Sequence, residues 1–129
     1  MTISSVLIAN RGEIAIRIAR GAGDLGLRTV AIYSEDDAAS LHRRIADVSH
    51  ALSGKGARAY LDMDAVIDAA RANDCDAIHP GYGFLSERAE FARRCADAGL
   101  AFIGPKVEHL ALFGDKTQAR AAALAADVP

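Results

Sequence analysis

The densest concentration of groups able to meet a ligand is His79-Pro80-Gly81-Tyr82-Gly83-Phe84-Leu85-Ser86-Glu87. Its glycines let a bound molecule approach the backbone closely, because no side chain stands in the way. The bland alternative is a tight structural turn, with His79 a hydrogen-bonded core residue. No second histidine or acid stands at metal-ligand spacing from His79, which argues against a zinc site. Gly114-Asp115-Lys116 opens a predicted helix and puts Lys116 in its first turn. A cation there opposes the helix dipole by a few tenths to about 1 kcal/mol. A bound phosphate would reverse that penalty, since free backbone N–H groups gather at the same terminus. Lys116 is therefore either a phosphate contact or a solvated lysine.

Two further clusters carry possible chemistry. Asn10-Arg11-Gly12-Glu13 follows an apolar run and opens a helix. A dinucleotide site at such a turn needs three spaced glycines, and only Gly12 is present, so nicotinamide and flavin binding are disfavoured. Glu13 suits the dipole at a helix start, as a stabilising acid or as part of a site. Ser34-Glu35-Asp36-Asp37 reads as a solvated acidic turn, with Asp36 or Asp37 capping the following helix. A phospho-acceptor receiver domain would carry its acceptor aspartate after the first strand, where Ala9-Asn10 stands instead.

The elements that must position these groups alternate in type. Short apolar or β-branched runs predict strands over Val6–Ala9, Thr29–Tyr33, Val48–Leu52, Asp76–His79 and Leu100–Ile103. A helix from Glu13 turns Ile14, Ile18, Ala22 and Leu25 inward, with Arg17, Arg20 and Asp24 on the other face, and Gly26 stops it. Others are expected over Ala39–Ala46, after an Asp62 cap (Ala65, Val66, Ala69 and Ala70 inward), and after a Ser86 cap (Ala89, Phe91, Ala92 and Cys95 inward). Ser53–Ala57 reads as a loop. Gly104-Pro105 opens a short helix closed by Gly114, and Asp115 with Gln118 starts a last one in capping-box spacing. The alternation predicts an α/β fold: a parallel sheet of about five strands with helices on both faces. In such a sheet ligands bind beyond the carboxyl ends of the strands, which here are the loops Asn10–Glu13, Ser34–Asp37, Pro80–Glu87 and Gly104–Lys106.

Composition excludes several classes. An apolar fraction of 51% and a charged fraction of 25% exclude a disordered chain. A net charge of −2 gives no basic footprint for nucleic acid. No apolar run approaches a membrane span, and Met1–Ser5 lacks the basic start of a signal peptide. Cys75 and Cys95 stand far apart without a Cys-x-x-Cys pair, as expected of reduced thiols in a cytoplasmic protein. The length suits one domain over 1–129. Val128-Pro129 looks like the entrance to more structure, so the sequence is expected to be part of a longer chain.

Several segments taken in order carry a family resemblance. They are Ala9-Asn10-Arg11-Gly12-Glu13-Ile14-Ala15, Tyr33-Ser34-Glu35-Asp36, His79 through Glu87, Phe102-Ile103-Gly104-Pro105 and Gly114-Asp115-Lys116. Over essentially its whole length the chain resembles the N-terminal domain of biotin carboxylase, the ATP-dependent component of acyl-CoA and pyruvate carboxylases. It departs from the family pattern at Arg88, where asparagine is usual, and in a shorter Leu52–Arg58 stretch, which leaves the final acceptor open.

The resemblance implies a Rossmann-like pre-ATP-grasp domain, with residues 115–129 leading toward an ATP-grasp part beyond it. It implies an enzyme that uses MgATP and bicarbonate to form carboxyphosphate and transfers CO2 to biotin on a carrier protein, with a carboxyltransferase as further partner. Lys116 matches the phosphate-contacting lysine. Tyr82 and Gly83 match residues on the biotin and phosphate side of the site. Arg20 matches a homodimer-interface position, against the alternative of an exposed intrahelical pair with Asp24. The family's lid, Mg2+ ligands and catalytic base match nothing in this sequence, so the 129-residue chain alone is expected to be inactive. The competing class is a non-catalytic Rossmann-like module that binds a nucleotide or a partner.

Overall fold

A computed structural model of the chain describes residues 3–104. Strand β1 (Ser5–Ile8) is buried along its whole length, as a four-residue apolar run requires. It lies at the centre of a five-stranded sheet between β2 (Arg28–Tyr33) and β4 (Ala77–His79). Strand β3 (Val48–Ala51) flanks β2 and β5 (Ala101–Phe102) flanks β4, giving the order β3-β2-β1-β4-β5. Every pairing is parallel, with Leu7 registered between Val30 and Ile78.

Alternation along the strands builds two layers. Leu7, Val30, Ile32 and Ile78 point into the main core with Tyr60, Val66 and Phe91. That core is closed by α3 (Ala57–Tyr60), α4 (Met63–Ala72) and α5 (Ala89–Asp97). Val6 and Ile8 point the other way, toward α1 (Gly12–Asp24), which packs beside α2 (Leu41–Ile45). Helices therefore cover both faces of the parallel sheet, as the alternating pattern predicts. Asp62 caps α4 as expected, accepting from the Ala65 N–H at 3.1 Å. No helix among the described residues is long and apolar enough to cross a membrane.

Local details differ from the sequence reading. α1 meets the sheet mainly through Ala15, Ala19 and the expected Ala22, with Ile18 packed against that layer from the side. Ile14 and Ile18 are half-buried, and Leu25, past the last turn, is 79% exposed. The small stripe lets the helix lie close to the strands, and the isoleucines end up on its flank. Ser86 does not cap α5: the Ser86 N–H donates to Gly83 O and the Arg88 N–H to Leu85 O, so a turn delays the helix and Arg88 occupies the cap position. The expected Ala39–Ala46 helix is shorter, and a 3-10 turn over Glu35–Asp37 precedes it. The short α3 begins at Ala57, the last residue of the expected loop. Both cysteines are buried and unpaired, and burial pushes their thiols up to about 11 at Cys75 and about 12 at Cys95. The helices expected after Gly104, with Gly114, Asp115, Lys116 and Gln118, lie outside the described residues.

Phe91 is fully buried and meets the Phe102 ring edge-on at 6.0 Å between centroids. Phe91→Ala should destabilise the domain by about 3–5 kcal/mol, from lost transfer energy and the cavity left behind. Urea denaturation of the 129-residue chain measures this. A loss below about 1 kcal/mol would mean that the α5 layer contributes little to the core.

Candidate functional site

Three loops meet at the carboxyl edge of the sheet, after β1, β2 and β4. The loop after β1 begins with Asn10, whose side chain is enclosed by protein. Its Nδ2 donates to Pro80 O at 2.8 Å and to Tyr82 O at 2.7 Å. Its Oδ1 accepts from the Arg11 N–H at 2.8 Å. The loops after β1 and β4 are thereby joined across a gap of some seventy residues in sequence. Between the two carbonyls lies Gly81, at φ +65°. A Cβ there would lie 2.8 Å from Asn10 Nδ2 and 2.9 Å from Ile14 Cγ2, so only glycine fits.

Beside this junction is a cavity of about 640 Å³, within the range of small-ligand sites. Ile14 and Ile18 give it an apolar floor, Glu13 and Arg17 add opposite charges, and His79 and Tyr82 complete the wall. His79 accepts from the Gly81 N–H on Nδ1 at 3.1 Å, which leaves the ring proton on Nε2. Burial lowers its pKa below the ordinary histidine value, so the ring is neutral at pH 7.

The acidic turn after β2 is only in part the solvated cluster that the sequence suggests: Glu35 and Asp36 are exposed, Asp37 is buried, and neither Asp36 nor Asp37 caps α2. The Asp37 carboxylate is only 9% exposed and accepts from Arg11 Nε at 2.7 Å and Arg11 Nη2 at 2.5 Å. It also accepts from the Tyr60 hydroxyl at 2.6 Å. These bonds hold its carboxyl well below the usual carboxylate range, with the Arg11 hydrogen bond as the largest cause. Burial and the same carboxylate raise Tyr60 above its ordinary value. Asp36 accepts from Ser34 Oγ at 2.6 Å and the Gly56 N–H at 2.9 Å, and Glu35 from the Gly54 N–H at 3.0 Å. The four-residue turn thus brackets the loops after β1 and β3.

The residues singled out by sequence fall as follows. Tyr82 stands at the cavity mouth, 77% exposed, and Gly83 follows it at φ +66°, exposed to solvent. Arg20 is exposed on α1, on a shallow groove that runs from Glu13 and Arg17, and forms no ion pair with Asp24. Glu13 lines both the groove and the cavity. Lys116 lies outside the described residues. Asn10, Asp37 and Tyr60 were not identified as site-building residues. Asn10 belongs to a motif visible in the sequence, but its partners are supplied only by the fold. No group of three or more histidine, cysteine, aspartate or glutamate side chains among the described residues could hold a metal ion.

Residues 2–110 match the family model described as biotin carboxylase, N-terminal domain. The chain belongs to that family. It is 56% identical to pyruvate carboxylase of Bacillus subtilis (strain 168) over 131 residues, covering 99% of this chain and 11% of that protein. The solved biotin carboxylase domain of a single-chain bacterial carboxylase matches with a TM-score of 0.93 and 56% identity, over 97% of this chain and 29% of that one. A single-chain, multi-domain long-chain acyl-CoA carboxylase matches with a TM-score of 0.95 and 54% identity, over 100% of this chain and 13% of the other. The biotin carboxylase N-terminal domain described here thus spans about a tenth of the length of the curated relatives it matches.

The Asp37 bracket makes the domain's stability pH-dependent. A carboxyl held low in the folded state contributes its full stabilisation above the ordinary carboxylate range, near 4, and loses it as pH falls toward the folded value. Asp37→Asn should cost about 1.5–3 kcal/mol at pH 7, the scale of a hydrogen bond to a charged group. The gap to the parent should narrow between about pH 4 and pH 2. Denaturant titrations across that range measure it, and a pH-independent gap would assign the loss to shape alone.

Proposed function

We propose that this domain forms one wall of the active site of an ATP-dependent biotin carboxylase. The full chain would use bicarbonate to carboxylate carrier-borne biotin and feed an acyl-CoA or pyruvate carboxylase. The observation that carries this reading is the Pro80–Tyr82 segment, pinned at the carboxyl edge of the sheet beside an open cavity with Tyr82 at its mouth. Family membership supplies the chemistry. The γ-phosphoryl group of ATP passes to a bicarbonate oxygen, releasing ADP and giving carboxyphosphate. Carboxyphosphate breaks into CO2 and phosphate, and N1′ of biotin, losing its proton, bonds to the CO2 carbon.

In this reading Tyr82 and Gly83 face the biotin and phosphate side. The Tyr82 ring and the Ile14–Ile18 floor suit a small ring system with apolar edges and a polar urea. Lys116, in the first turn of a predicted helix, supplies a point charge to the nucleotide phosphates. Arg20 is the proposed contact with a second copy of the enzyme. The described residues do not fit a Mg2+ site, so no metal step is assigned to them. Residues 1–129 form one domain, with 115–129 leading into the ATP-grasp part that would hold the metal ligands and the base.

Two substitutions in the full-length enzyme test this division of labour. Tyr82→Ala should lower kcat/KM for biotin by roughly three- to tenfold, the size of a lost aromatic contact, and move the ATP parameters less. An unchanged biotin value would remove Tyr82 from the site. Lys116→Gln keeps the length and removes the charge. It should lower kcat/KM for ATP by about tenfold to a hundredfold, mainly through a raised KM, in steady-state assays at saturating Mg2+. A KM for ATP within about twofold of wild type, at unchanged kcat, would make Lys116 a solvated lysine.

A further inference from the structure

We infer that Asn10 is a positioning residue that sets where Tyr82 stands, and that it acts on the biotin half of the reaction without touching substrate. The inference rests on the reading of Tyr82 given above. Asn10 is 1% exposed, so it has no surface to offer a ligand. Its carboxamide is fully committed: two N–H donors go to Pro80 O and Tyr82 O, and the oxygen takes the Arg11 N–H. Tyr82, by contrast, is mostly in solvent and has little packing to fix it. Among the described residues, the hydrogen bonds that hold 80–82 are the two from Asn10 and the one from the Gly81 N–H to His79 Nδ1.

The geometry accounts for the residue type. The two carbonyls flank Gly81, and one planar amide spans both only if the chain between them presses against it. The absent Cβ of Gly81 allows this, because that atom would lie 2.8 Å from Asn10 Nδ2. Aspartate has the same shape but, ionised, offers only acceptors to two carbonyl oxygens. Serine has a single donor. The amide is itself oriented from behind, since Arg11 is clamped by both oxygens of Asp37 and presents its N–H to Asn10 Oδ1.

Asn10→Asp isolates the point: it keeps the acceptor for the Arg11 N–H and replaces the double donor. Asn10→Ala serves as a second variant, removing the donors without adding charge, in case the aspartate form does not fold. In the full-length enzyme each should speed amide exchange over 81–84 by about tenfold or more and leave β2 unchanged. Each should also lower kcat/KM for free biotin by about the same factor as Tyr82→Ala, while KM for ATP stays within about twofold. Asn10→Asp combined with Tyr82→Ala should be no worse than Tyr82→Ala alone, because both changes remove one function.

Unchanged exchange over 81–84 in both variants would overturn the inference. So would an equal rise in exchange across β1 and β2, which would mark a general loss of stability. If Tyr82→Ala lowers the biotin value but a loosened loop in either Asn10 variant does not, the inference also fails. If the loop loosens and neither Tyr82→Ala nor the Asn10 variants alter biotin kinetics, the anchor stands and the placement of Tyr82 on the biotin side is wrong.

Discussion

The carboxylate of Asp37 gathers two bonds from Arg11 and one from Tyr60, and the carboxyl edge of the sheet is organised around it. Parallel strands end in loops that have no ladder of their own, so something else must fix them relative to one another. Here a charged, partly enclosed hub does so. Arg11 belongs to the loop after β1, Asp37 to the turn after β2, and Tyr60 to α3 beyond β3. Arg11 also hands its N–H to Asn10, which carries the order onward to the loop after β4. The chain of contacts runs from a charge pair to an amide to a glycine turn, each step short and directional.

The hub also explains why the carboxyl edge of the sheet can hold its shape. Tyr60 is fully buried in the main core, with its ring 5.6 Å from that of Phe84 between centroids, so the polar cluster rests directly on the hydrophobic core. The Arg11 guanidinium lies 6.0 Å from the Tyr60 ring centre, which adds a cation–π contact to the ion pair. Movement of the edge would have to disturb core packing, and core packing is stiff.

Much of the fold was legible because its determinants are local. Four-residue apolar runs, glycine stops and the Asp62 cap each act within a few positions, and each appears close to where the sequence puts it. Leu25 and Ser86 were misread for reasons equally local. Hydrophobicity favoured isoleucine and leucine as the inner stripe of α1, but close approach to the sheet favours alanine. Ser86 had the chemistry of a cap but was used by the turn before the helix. The hub was not legible at all: Asp37 finds Arg11 and Tyr60 at separations of 26 and 23 residues, and only the β3-β2-β1-β4-β5 order brings them together. Tyr82 and Gly83 stood out by motif, while the role of Asn10 became visible only through the two carbonyls it reaches.

His79 gives the Gly81 turn a dependence of another kind. The Gly81 N–H is accepted by a lone pair on His79 Nδ1, and that lone pair exists only while the ring is neutral. A proton arriving at Nδ1 competes with the glycine for the same electrons, and on winning it leaves two N–H groups facing each other. Burial holds the contest in the glycine's favour at neutral pH by making the charged ring costly. The half-burial of His79 therefore keeps a hydrogen-bond acceptor available, and the shape of the turn depends on how much of that ring water reaches.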